Sequence, residues 1–201
     1  MKLWVDFHPR VMPYVLGCPI PVVDTALIDA AREFCHKTLC WKQTELAYVS
    51  GQTLFEFDMP FGTELVKVGR VRVNGKEYDI KTSDDLPEDW DSNTPDDKTL
   101  YQDNQLEYRI FPVPTAADEI SMTLHLKPSA DGIGVDDEVF SMYSDAIAAG
   151  ARAMLQRMPR TAWFDMTQAA VDGQAFMSRI NYAANLNFMR SKHHRVAKAG
   201  L

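Results

Sequence analysis

The stretch ALIDAAREFCHKTLCW, from Ala26 to Trp41, decides the fold. Leu27, Ala31, Phe34, Thr38 and Trp41 recur at steps of four, three, four and three, so they share one stripe of a 3.6-residue helix. Asp29, Arg32, Glu33 and Lys37 fall largely on other faces. Such a stripe has to bury against something, and the next helical patterns, Phe140 to Met158 and Met166 onward, lie far downstream. An early helix packed on two late ones closes one domain around whatever lies between them.

What lies between reads as antiparallel β-structure. Ile120, Met122, Leu124 and Leu126 alternate with Ser121, Thr123, His125 and Lys127, and Leu106, Tyr108 and Ile110 alternate with Glu107 and Arg109. Each is the period of a strand with one wet face. Leu54, Phe55 and Phe57 form an apolar patch, and Leu65, Val66 and Val68 lead to Val71 and Val73. Asn74-Gly75 then supplies the type I′ hairpin signal before Tyr78 and Ile80. One buried face per strand implies a sandwich or a small barrel. Between Ile80 and Leu100 the chain is crowded with acid and carries Pro87 and Pro95, which predicts a long exposed loop.

The late helices announce their ends. Asp136, Asp137 and Glu138 suit a helix N-terminus, Phe140, Tyr143, Ile147, Ala151, Met154, Leu155 and Met158 follow at helical spacing, and Pro159 stops the run. Asp165 with Gln168 makes a capping-box pattern ahead of Ala169, Phe176, Ile180, Ala183 and Ala184, predicting a helix through at least Met189. Residues 1–23 hold Pro9, Pro13, Gly17, Pro19 and Pro21, and read as an extended arm ordered by what it packs on. The expectation is therefore α+β: a helical bundle of residues 24–42 and 129–190, an inserted antiparallel β-sandwich or barrel at 43–128, the arm at 1–23, and a basic tail at 191–201.

Composition excludes several classes. Of 201 residues 46% are hydrophobic and 24% charged, which separates the chain from disordered proteins. A formal charge of −7 argues against a general nucleic-acid coat, although the charge is unevenly placed. Acid gathers between Asp79 and Asp103, whereas Arg190, Lys192, Arg195 and Lys198 stand at the other end with His193 and His194. No apolar run approaches the ~20 residues that span a bilayer. Cys18, Cys35 and Cys40 cannot all pair, and Met1 to Arg10 lacks the apolar run of a secretory signal, so the expectation is a reducing compartment with free thiols.

Motifs for chemistry are sparse. The sequence holds no glycine-rich phosphate loop, no nucleophile elbow and no local Cys/His pattern of an activated thiol. A Cys35/His36/Cys40 metal site is disfavoured because neighbouring residues on a helix point apart and no fourth ligand stands near. The acids from Asp84 to Asp103 lack the glycine and terminal glutamate of a calcium loop and read as a solvated charge run. Asp6 beside His8 carries no assignment. No catalytic, cofactor or metal residues are nominated.

The helix ALIDAAREFCHKTLCW, the strand PVPTAADEISMTLHLKPS ending in Lys127-Pro128-Ser129, the segment DAIAAGARAMLQRMPRTAW with Ala149-Gly150-Ala151 and Trp163, and the helix AFMSRINYAAN together resemble the head-to-tail adaptor proteins of short-tailed bacteriophages. The resemblance spans about residues 18 to 190. It implies a helical bundle with a β-rich insert and a ring, taken as dodecameric, that docks beneath the portal of a DNA-filled capsid. Such a ring presents a platform to the next tail component, a nozzle or tail tube protein, with DNA passing through its channel without specific binding. It further implies a non-enzymatic virion protein of the tail neck, assembled in the host cytoplasm, with no cofactor and no membrane partner.

The family fixes no contact residues, so those come from the physical reading. Phe188 and Met189, near the end of the last helix, are candidate apolar anchors for the portal, with Arg190, Lys192 and Arg195 beside them. Asp84, Asp85, Asp89 and Met177 are candidate subunit or ring contacts. Two other classes stay open: a small hydrolase with a motif-less site, whose discriminator is a concave pocket of convergent titratable groups, and a DNA-binding module using the basic C-terminal end.

Overall fold

The fold was analysed in a computed structural model, which describes residues 1–48, 54–90, 95–115 and 118–196, the side chains of 47, 48 and 188–196 excepted. Among the described residues it is α+β, with four helices, a curled seven-stranded mixed sheet forming half a barrel, and a two-stranded sheet. The chain divides into a helical unit, Met1–Trp41, Phe61–Thr63 and Lys127–Leu201, and a sheet unit, Lys42–Pro60 and Glu64–Leu126.

In the helical unit, α1 (His8–Val11) is a single turn, and α2 (Ile20–Thr38), α3 (Asp137–Gln156) and α4 (Met166–Val196) form the bundle. The predicted stripe of α2 is its buried face, with Leu27, Ala31 and Phe34 fully covered. Phe34 is the hub: its ring lies 5.0 Å from Tyr143 of α3 and 6.1 Å from Phe176 of α4. Small residues let α3 sit close to its neighbours, since Ala146, Ala148, Ala149, Gly150, Ala151 and Ala153 are all buried. A Cβ on Gly150 would stand 2.9 Å from the Phe176 ring, so glycine there makes room for the aromatic. Both late helices are capped by aspartate, but only half of the predicted capping box forms, because the Asp165 N–H donates to the Gln156 carbonyl at 3.0 Å instead of to Gln168. Asp136 Oδ1 accepts the Glu138 N–H at 2.8 Å, and Asp165 Oδ1 accepts the Gln168 N–H at 2.9 Å.

Three expectations for this unit need correction. Residues 1–23 are not an extended arm. They run through β1 (Lys2–Leu3), a 3-10 turn at Trp4–Phe7, α1, a second 3-10 turn at Met12–Tyr14, and the start of α2. Proline occupies the first turn of α1, of the second 3-10 turn and of α2, where its missing donor has no intrahelical acceptor to serve. Trp4, Phe7, Val11 and Val15 are buried, and β1 pairs with β9 (Gly134–Val135). Trp41 is not helical: Leu39 takes a left-handed conformation at φ 54°, ends α2, and Trp41 opens the first strand of the sheet. Finally, α4 continues through Val196, so residues 191–196 are helix rather than tail, while 197–201 lie outside the described residues.

The large sheet comprises β2 (Trp41–Tyr48), β3 (Leu54–Glu56), β4 (Thr63–Val73), β5 (Lys76–Thr82), β6 (Thr99–Gln102), β7 (Glu107–Phe111) and β8 (Glu119–Pro128), in the order β2-β8-β4-β5-β6-β7-β3. Ile120, Met122, Leu124 and Leu126 all face its core. The Asn74-Gly75 hairpin is present, with both residues at positive φ, 49° and 74°, and Val73 opposite Lys76. Tyr108 stacks on its cross-strand partner Phe55 at 5.5 Å and packs on Phe57 at 4.5 Å. Among the described pairings of the sheet, β5 and β6 depart from an antiparallel arrangement and run parallel, Asp79 opposite Thr99. Parallel neighbours need a crossover, and the acidic segment between them is that crossover. Among its described residues it is tethered by Trp90, whose ring lies 6.0 Å from Phe111 and under the Arg109 guanidinium at 4.6 Å.

Candidate interaction surface

Arg152, on α3, organises the most distinctive surface of the helical unit. Its Nε and Nη2 donate to Asp172 Oδ2 and Oδ1 of α4 at 3.1 and 2.5 Å. Its Nη1 donates to the Arg10 carbonyl at 2.9 Å, and its guanidinium lies 4.6 Å over the Tyr14 ring. One half-buried cation thus ties the N-terminal segment to both late helices. Two further pairs repeat the attachment: His8 Nε2 lies 2.7 Å from Asp24 Oδ1, and Arg10 Nε donates to Asp145 Oδ1 at 2.9 Å. Phe7 closes the underside, its ring edge-on to Phe140 at 4.8 Å.

The outer side of this fixed segment is apolar and open. Val5, His8, Pro9, Met12, Pro13, Val15, Leu16 and Gly17 line a groove of about 680 Å³. Leu16 is 75% exposed, with Val5, Tyr14 and Ile20 each more than half exposed. Gly17, at φ 81°, turns the chain sharply behind it. Scattered exposed apolar residues are ordinary; here the exposed group sits on a segment tied to the helices by the Arg152–Asp172 ion pair and the His8–Asp24 and Arg10–Asp145 contacts, which makes it a candidate interaction surface.

A second apolar set lies along α4. Phe176, Ile180 and Ala183 are buried, whereas Met166 and Met177 are exposed eleven residues apart, three turns along one side. Val171 and Tyr182, also eleven apart, are exposed on another side. The helix thus buries one face and leaves these four large apolar side chains open.

The residues nominated from sequence fall as follows. Met177 lies on the exposed α4 stripe at 42%. Phe188, Met189, Arg190, Lys192 and Arg195 sit on the last turns of α4, and their side chains lie outside the described residues. Asp84 and Asp85 are in a short 3-10 turn of the sheet unit, exposed, with Asp85 Oδ2 accepting from the Thr82 N–H and hydroxyl at 3.3 and 3.1 Å. Asp89 is exposed in the same crossover. The acidic and basic segments therefore belong to different units.

Of the apolar set Val11, Met12, Tyr14, Val15 and Leu16, which the sequence suggests could lie along a neighbouring surface, Val11 and Val15 are buried and the other three are exposed, whereas the Arg152 clamp escaped the sequence reading. A signal for the clamp existed: Asp172 falls between Ala169 and Phe176 on the buried stripe of α4, and a charge in that register demands a buried partner.

No protein-family model and no curated protein sequence matches this chain. A second groove, of about 770 Å³, lies in the sheet unit between Glu56, Phe57, Glu64 and Asn104 to Glu107, and its titratable groups are all carboxylates. Near it Glu45 is buried, with Oε1 accepting the Asp58 N–H at 3.3 Å and Oε2 without a hydrogen-bond partner. Burial raises its carboxyl above the usual range, with the Asp58 charge adding and the Asp58 N–H opposing. No cluster of three His, Cys, Asp or Glu side chains suited to a metal ion occurs among the described residues, nor does a helix long and apolar enough to cross a membrane.

Proposed function

We propose that the chain is the structural head-to-tail adaptor of a short-tailed bacteriophage, a ring subunit that docks beneath the portal and presents a platform to a nozzle or tail tube protein. The observation that carries this reading is the anchored apolar groove at Val5 to Gly17, accompanied in the same unit by the open stripes of α4. Subunits of a ring meet heterologously, each using two different faces, and two different apolar surfaces on one unit suit that requirement. Stable contacts of this kind bury about 800 Å² per partner, more than single exposed side chains supply and within reach of a groove receiving a helix flank.

Charge has a lesser part in the proposal. Asp84, Asp85 and Asp89 on the sheet unit, and Arg190, Lys192 and Arg195 at the end of α4, steer neighbours or the portal into register. Exposed pairs contribute only about 0–1 kcal/mol each, so affinity rests on apolar burial, with Phe188 and Met189 as portal anchors. The net charge of −7 suits a channel that passes DNA without holding it, because a basic ring would retain the duplex through counterion release.

Light scattering at several concentrations, with and without the portal ring of the same virus, tests the proposal. A discrete large complex with the portal supports it, whether the free chain is a ring or a monomer. Failure to associate at micromolar concentration and moderate salt removes it. The hydrolase reading, centred on the carboxylate groove, then takes precedence, and steeply salt-dependent DNA binding would favour the nucleic-acid module.

A further inference from the structure

The end of α2 brings two thiols together. Cys35 is in the last turn, fully buried. Leu39 then reverses the chain in its left-handed conformation, its N–H returning to the Cys35 carbonyl at 2.9 Å. The reversal carries Cys40 back over the helix end, where its Sγ lies 3.9 Å from the Cys35 Sγ. Cys35 is fully buried and Cys40 half-buried, so Cys40 is the more accessible of the pair. The third cysteine, Cys18, is buried beside the Pro19 carbonyl at 3.9 Å, outside this pair.

We propose that Cys35 and Cys40 form a reversible disulfide site, with Cys40 as the attacking thiolate, Cys35 as the resolving thiol, and a small-molecule disulfide as the oxidant. The inference rests on the local geometry and is independent of the adaptor reading.

The surroundings divide the two roles. Hydrogen bonding from the Cys35 thiol favours the Cys40 thiolate, opposed by burial and assisted by the Thr38 side chain and the Cys40 and Trp41 backbone, and the Cys40 thiol is lowered. The Cys35 thiol is raised by donating that hydrogen bond and by burial. Thiolate character and access select the sulfur that attacks. In the first step the Cys40 thiolate attacks one sulfur of the small disulfide, forming a mixed disulfide and expelling one thiolate. In the second, Cys35 attacks the Cys40 sulfur, its proton passing to the other thiolate as that departs. Two cysteine thiols are oxidised and one small disulfide is reduced to two thiols. The sulfurs have to close from 3.9 Å to a bonding distance of about 2.05 Å. The moving part is Cys40, which follows the last helical hydrogen bond, from the Leu39 N–H to the Cys35 carbonyl.

The site has a structural output. Trp41 is the last residue of its segment in the helical unit and Lys42 the first of the sheet unit, so the bond would fasten the point of departure to the last turn of α2. Asn187 of α4 donates to the Thr38 carbonyl at 2.7 Å at the same helix end, which gives the bond a rigid foundation.

The test incubates the full-length folded protein with oxidised glutathione, alkylates free thiols after rapid denaturation, and measures intact mass with peptide mapping. The expected product has lost two hydrogens, carries one alkyl group on Cys18, and yields a Cys35–Cys40 linked peptide that dithiothreitol reverses. Cys35→Ser is expected to trap glutathione on Cys40, and Cys40→Ser to leave Cys35 unmodified while folded. Alkylation of all three cysteines after oxidant, glutathione persisting on Cys40 of the unmutated chain, or a bond involving Cys18 would each overturn the proposal, without reliance on any variant folding.

Discussion

Arg152 and Asp172 face each other across α3 and α4 as a fork on a fork, with side chains only 15% and 6% exposed. A pair so placed is costly to break from one side, because the survivor keeps its desolvation without its partner. Asp172→Ala or Arg152→Ala is expected to lower unfolding free energy by about 3–5 kcal/mol, read from denaturant midpoints. The double variant Arg152→Met with Asp172→Leu is expected to recover most of that loss, a coupling that additive effects would not produce.

The crossing of α3 and α4 tolerates no added volume at its tightest point. Gly150→Ala places a methyl against the Phe176 ring, 2.9 Å from where its Cβ would stand. The expected destabilisation is about 1–3 kcal/mol, seen as a lower melting temperature. Phe176→Leu in the Gly150→Ala background is expected to restore part of it, whereas Phe176→Leu alone opens a void and destabilises.

Under the proposed function, Val5→Ser, Met12→Ser and Leu16→Ser combined leave the fold intact and weaken assembly. Exposed positions change stability by roughly ±0.5 kcal/mol each, so circular dichroism and melting should match the parent. Light scattering with the portal ring is expected to show a lost or much weakened complex. Unchanged association would separate the groove from any role in assembly.

Glu45 gives the sheet unit a pH dependence of known sign. Burial raises its carboxyl in the folded state, so between the ordinary glutamate pKa of about 4.3 and the raised value the folded chain binds more protons than the unfolded one. Stability from this group is present at lower pH and declines as pH rises through that window. Glu45→Gln is expected to flatten the decline and to stabilise the protein at pH 7, checked by denaturant titrations at a series of pH values.

The bundle was legible because its signals are local and redundant. Leu27, Ala31 and Phe34 give the period, Asp136 and Asp165 give the starts, and each agrees with its neighbours. The β8 alternation and the Asn74-Gly75 turn were readable for the same reason. The N-terminal segment was misread because proline marks both a break and a beginning. Pro9, Pro13 and Pro21 all stand in first turns, where context rather than identity decides. The parallel pairing of β5 and β6 leaves no trace in periodicity, because β5 buries none of its residues fully and β6 buries Thr99, Leu100 and Tyr101 in a row, so neither alternates. The candidate surface was less legible still, because exposure of Leu16 and burial of Arg152 depend on residues distant in the chain.

The helical unit is assembled from both ends of the sequence, with the sheet unit spliced into its middle. During synthesis this sets an order of events. When α2 leaves the ribosome, neither α3 nor α4 exists to cover Leu27 and Phe34, and β1 has no β9 to pair with until Gly134 has emerged. The nascent chain therefore completes its sheet residues while its first helix still shows an apolar stripe, the condition in which chaperones and premature self-association compete for a polypeptide. Slow translation between Lys127 and Ala183 would lengthen that exposure, and the yield of properly folded chain depends on how quickly the second half arrives.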